Sequence, residues 1–90
     1  METVLNLLKI DLGITHNLRD AFFTVQIAAC KGEIERMGIS LDLTNVEDQM
    51  LLSDFAAWRY RNRTEDIPLA NNLRHRIRNR IVRGRAKYAT

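Results

Sequence analysis

Apolar residues recur along this chain at steps of three and four, and the recurrence marks out successive helices. From Thr3 to Leu12, Val4, Leu5, Leu8 and Leu12 share one face, Glu2 and Asp11 stay wet, and Gly13 is placed to end the helix. A second helix is predicted over Leu18 to Met37, about 30 Å long at 1.5 Å per residue, with Thr15 or Asn17 able to cap it and Gly38 ending it. It carries two stripes, Leu18, Phe22, Val25, Ala29, Gly32 and Phe23, Ile27, Cys30, Ile34, Met37. Two stripes predict two buried faces, one against a neighbouring helix and one against a further helix or another subunit; Ala28, Ala29 and Gly32 permit close approach.

Ile39, Leu41 and Leu43 alternate with Ser40 and Asp42, the rhythm of an extended connector. Thr44 to Arg63 then reads as the central helix. Thr44 and Glu47 have capping-box spacing. Val46, Met50, Ser53, Ala57 and Tyr60 form one stripe, and Leu51, Phe55 and Trp58 a second. Glu47, Asp48 and Asp54 lie toward the positive end of the helix dipole, and Arg59, Arg61 and Arg63 toward the negative end. After Arg63–Asp66, Asp66 can cap a final helix with Pro68 in its first turn. That helix runs from Leu69 to Tyr88 with a narrow seam of Leu69, Leu73, Ile77, Ile81 and Tyr88; Gly84 weakens its last turn. The expectation is an all-α chain of about four helices: a short N-terminal helix, two long antiparallel helices and a basic C-terminal helix, in a small bundle.

Length and composition narrow this further. Ninety residues make a single helical domain, 1–90, small enough to gain from partners, with 83–90 as a flexible or partner-ordered tail. A single cysteine excludes an internal disulfide, and Met-Glu-Thr is not a secretory leader. The most apolar run, Ala21 to Cys30, is too short for a bilayer and is broken by Thr24 and Gln26, so no membrane is expected.

Charge changes the picture more. Residues 1–58 hold four basic and nine acidic residues; residues 59–90 hold nine Arg and one Lys against Glu65 and Asp66. Opposite poles suit head-to-tail self-docking or an acidic partner. The arginine-rich last helix admits three readings: nucleic-acid phosphates, an acidic protein surface, or a solvated face. The preference for Arg over Lys favours specific contacts, protein first. A helix-turn-helix reader is disfavoured, because the turn holds Glu65 and Asp66 and lacks a Gly-centred bend.

Candidate chemistry is sparse. His16 and His75 lack ligand-spaced companions, so neither a metal nor another cofactor is expected. Cys30 sits on an apolar stripe as a core residue. Glu47, Asp48 and Asp54 are accounted for by the helix dipole and an exposed face, and nothing points to an enzyme.

The segment Trp58-Arg59-Tyr60-Arg61-Asn62-Arg63, followed by a short acidic loop and Pro68, resembles the small head–tail connector (adaptor) proteins of tailed bacteriophages. In those proteins a long helix ends in an aromatic-x-Tyr-x-Asn-Arg pattern before a Pro-led last helix. The likeness is close at residue level from Met50 to Pro68 and elsewhere lies in helix order and length. It implies a homo-oligomeric, dodecameric-type ring in the virion neck, assembled in the host cytoplasm. The portal protein would lie above and a further neck or tail protein below, and packaged DNA would pass through without sequence-specific contact. On this reading Phe23, Ile27, Ala28 and Ile34 meet the next subunit. Arg74, Arg76, Arg78, Arg80, Arg83 and Arg85 mostly face protein, since a lumen lined with Arg would hold sliding DNA too firmly. Trp58, Tyr60, Asn62, Arg63 and Pro68 are architectural. The Arg-rich C-terminal half departs from the family pattern and leaves any tail-mediated docking to Val82–Thr90. The alternative is a small helical regulator that binds DNA or RNA through its last helix.

Overall fold

The computed structural model describes residues 2–63 and 68–89, with side chains through Arg83. Four helices follow in order: α1, Glu2–Leu12; α2, Asp20–Arg36; α3, Val46–Arg61; and α4, Asn71–Ala89. Among the described residues there is no strand, and the architecture is a small all-α bundle. The expected Asp66 cap and the side chains of Arg85, Tyr88 and the rest of the tail beyond Arg83 lie outside what is described.

α3 is the centre. It packs against α1, α2 and α4, and α1 also packs against α2. The core gathers Val4 and Leu8 from α1; Phe23, Ile27, Cys30 and Ile34 from α2; Leu51, Leu52, Phe55, Ala56 and Ala57 from α3; and Leu73 and Ile77 from α4. The connector after α2 behaves as its alternation predicts: Ile39 and Leu41 are buried while Ser40 and Asp42 face out.

The helix ends follow local chemistry. Gly13 takes φ +72°, which lets the Ile14 amide reach back to the Lys9 carbonyl at 2.8 Å. Gly38 takes φ +106° just past α2. Glu35 ties the chain that follows, accepting from Lys31 Nζ at 2.9 Å and from the Leu41 amide at 3.2 Å. Those two bonds, the lysine's foremost, hold its pKa below the usual glutamate value.

Three boundary expectations are corrected. The α3 cap is Asn45, not Thr44: the Asn45 side chain accepts from the Glu47 amide at 2.8 Å, while the Thr44 hydroxyl donates to Asp42 Oδ1 at 2.6 Å. The short reach from Asn45 to the amide two residues on displaces the longer capping-box bond. α2 begins after Arg19 without a side-chain cap, and Asn17 Oδ1 instead accepts from Lys9 Nζ. Pro68 precedes α4 by three residues rather than standing in its first turn, because Leu69 and Ala70 pack on the core before the helix winds.

Candidate partner-binding surfaces

α2 decides what one copy leaves open. Its stripe Phe23, Ile27, Cys30, Ile34 is buried in the core, and Phe23, Ile27 and Ile34 have no exposure at all. Their expected place at a subunit interface is therefore corrected: they hold the single chain together. Ala28 alone of that set is exposed. The other stripe is the open one, with Leu18 89%, Val25 70% and Phe22 43% exposed, and Ala29 exposed beside them. The sequence identified both stripes; which turned inward followed bulk, since the inner one carries Phe23, Ile27 and Ile34, with Met37 at its end exposed, and the open one runs out to Ala29 and Gly32.

α4 sorts its arginines between two flanks of the Leu73–Ile77 seam. On one flank, Arg76, Arg80 and Arg83 stand at steps of four and three and reach α3. Arg76 Nη1 lies 2.7 Å from Asp54 Oδ2, and Arg83 Nη1 lies 2.7 Å from Glu47 Oε2. Arg80 grips Asp48 with two bonds, Nε to Oδ1 at 2.9 Å and Nη2 to Oδ2 at 3.1 Å, and also donates to the Ser40 carbonyl at 3.1 Å. These three arginines, expected to face a partner, are thus engaged within the chain. Arg74 and Arg78, on the other flank, are exposed and form no ion pair among the described residues.

Asp48 is the residue that sequence reasoning misplaced. It is only 2% exposed, not part of a wet face. Burial pushes its pKa up, but the hydrogen bonds from Arg80 and from the Asp42 amide at 2.8 Å outweigh that and hold it below the usual aspartate value. The same pairing raises the Arg80 pKa. The signal was present: Asp48 stands four residues before Leu52 and seven before Phe55, on the core face of α3.

The acidic and basic halves of the sequence fold onto each other. Beyond the α3–α4 pairs, Arg59 pairs with Glu33, and Arg61 with Asp11 at 3.2 Å. The expected poles are therefore largely neutralised inside one copy. Most of these pairs are half-exposed and stabilise little individually.

The start of α3 and the outer part of α4 enclose a cleft of about 610 Å³. Val46, Met50, Leu51 and Val82 supply its apolar lining, and Glu47, Asp48, Arg76, Arg80 and Arg83 its charged one. Val46, Met50 and Val82 are exposed there.

The corner after α3 is built by the residues expected to build it. Asn62 Nδ2 donates to the Trp58 carbonyl at 2.8 Å, and Arg63 Nη1 to the Tyr60 carbonyl at 2.7 Å. The Arg63 guanidinium lies 4.2 Å from the Tyr60 ring centroid. Tyr60 meets Phe23 edge-on at 5.3 Å and accepts from Arg19 Nη1 at 3.0 Å. Trp58 and Tyr60 are half-buried against the core rather than enclosed by it.

Burial pushes the Cys30 thiol up to about 11. Among the described residues, no group of three or more His, Cys, Asp or Glu is placed to hold a metal ion, and no helix is long and apolar enough to cross a membrane. Comparison with protein-family models, curated proteins and solved structures finds no match to this chain.

Proposed function

We propose that the chain is a structural subunit of a tailed bacteriophage neck. It would stand in a ring beneath the portal, pass packaged DNA through its centre without reading sequence, and meet a further neck or tail protein below. The observation that carries this is the row Leu18, Phe22, Val25, left open although one copy already has a closed core. A continuous exposed apolar row favours a protein interface over catalysis. The Trp58–Arg63 corner supports the reading, since its side chains close the helix end as the resemblance implies. Of the α4 arginines with described side chains, Arg74 and Arg78 are the ones left for an acidic partner. The regulator reading is weaker for the same reason: Arg76, Arg80 and Arg83 are occupied by carboxylates and are not free for phosphates.

The test is genetic, in the virus or prophage whose genome encodes the chain. Deleting the gene should give heads filled with DNA and tails that do not join them, seen by electron microscopy. Wild-type protein supplied in trans should restore whole particles, and Arg74→Glu with Arg78→Glu should not. Normally tailed particles from the deletion would overturn the proposal.

A further inference from the structure

Among the described residues, two groups of exposed apolar side chains stand out, and they share no residue. One is convex: Phe22, Val25 and Ala29 along α2, with Leu18 exposed in the turn before it. The other is concave: the cleft between α3 and α4 with Val46, Met50 and Val82 along it. We propose that the α2 row of one copy seats in the α3–α4 cleft of the next, so that copies join head to tail. This rests on the neck-ring reading and adds to it which surfaces meet.

Spacing fits first. A helix laid in a groove anchors at i, i+3 and i+7, which is the spacing of Phe22, Val25 and Ala29 on α2, with Leu18 in the turn just before it. Charge fits next. Each charged side chain lining the cleft already has its counter-ion in the same copy: Glu47 with Arg83, Asp48 with Arg80, Arg76 with Asp54. A strongly charged peptide or a nucleic acid would find no unmatched charge there. The α2 row itself has no charged member. Ala21, Thr24 and Ala28 stand among its members; of the charged neighbours, Asp20 is paired with Lys9, while Arg19 lies over the Phe22 ring and donates to the Tyr60 hydroxyl. Seating these uncharged side chains in an internally paired cleft brings no unpaired carboxylate into a dry interface.

Two unlike surfaces on one chain also meet the condition for a heterologous contact. Such a contact gives every copy two neighbours and closes into a ring when the rotation per step allows. A two-fold dimer needs only one self-complementary patch.

Native mass spectrometry on two variants tests the pairing. Val25→Asp spoils the row and Met50→Asp spoils the cleft; both positions are exposed, and circular dichroism checks that each variant stays folded. Val46→Asp replaces Met50→Asp if the latter unfolds. The wild type should assemble and each variant alone should be monomeric. Their equimolar mixture should give a heterodimer and nothing larger, because one sound row then meets one sound cleft. A mixture that stays monomeric overturns the proposal. So does a wild type that is monomeric at hundreds of micromolar, or a Met50→Asp variant that assembles like the wild type, the mark of row-to-row contact. The neck reading fails separately. Virions that lack the protein defeat it while a pairing mixture stands, and a virion protein whose variants do not pair defeats only the head-to-tail contact.

Discussion

Asp48 and Arg80 show how one buried charge fixes an element. Removing Arg80 leaves a carboxylate at 2% exposure without its cation, so Arg80→Ala should cost about 3 kcal/mol in chemical denaturation. Arg78→Ala, at an exposed position, should stay within about 0.5 kcal/mol of wild type. The pH dependence has a definite sign. The folded-state pKa of Asp48 is lowered, so its charge stabilises the fold above the ordinary value of 3.8 and that contribution disappears as the pH falls through the folded value. Glu35, also lowered, acts in the same direction. Stability should therefore drop as the pH is taken below about 4, with a shallower slope in Asp48→Asn. Cap identity is a second residue-scale matter. Asn45→Ala should lose about 1 kcal/mol, more than Thr44→Ala. Sequence spacing alone favoured Thr44 because the choice between the two depends on where the chain leaves its turn, which Asp42 sets by accepting from both the amide and the hydroxyl of Thr44.

Helix type and approximate span were legible because 4–3 spacing is a local property of each segment. The choice between the two α2 stripes was not, since both have the same period and only the opposing surfaces select one. Phe23 and Ile34 fill the space against the other helices, whereas Ala29 and Gly32 would leave it empty. Ile27→Ala should thus cost about 3 kcal/mol in equilibrium unfolding, while Val25→Asp, on the open stripe, should change monomer stability by about 0.5 kcal/mol or less. Equal losses at the two positions would mean that the stripes are assigned the wrong way round. The candidate surfaces were half legible in the same sense. The arginines of α4 were evident as a group, but their division between flanks depends on where α3 lies. Once α3 is in place, the step from Arg76 to Arg80 to Arg83 matches Asp54, Asp48 and Glu47 in reverse order.

At the scale of the molecule, attachment is uneven. α1, α2 and α3 share most of the core, whereas among the described residues α4 buries Leu73 and Ile77 in it, packs the partly buried Ile81 against it, and is further fastened by its three arginine pairs. Two of those pairs, Arg76–Asp54 and Arg83–Glu47, are exposed enough for salt to screen them. An element with so small a share of the core, and with ion pairs as its further ties, should open before the rest of the fold does. Hydrogen exchange read by mass spectrometry should then show α4 amides exchanging well ahead of those in α3, and faster at 1 M than at 0.1 M salt, about the range over which the Debye length shrinks from 10 to 3 Å. Arg80→Ala should widen that gap while leaving α1–α3 protected. Uniform protection across all four helices, unaffected by salt, would mean that the Leu73 and Ile77 contacts bind α4 into a single cooperative unit and that its ion pairs contribute nothing separable.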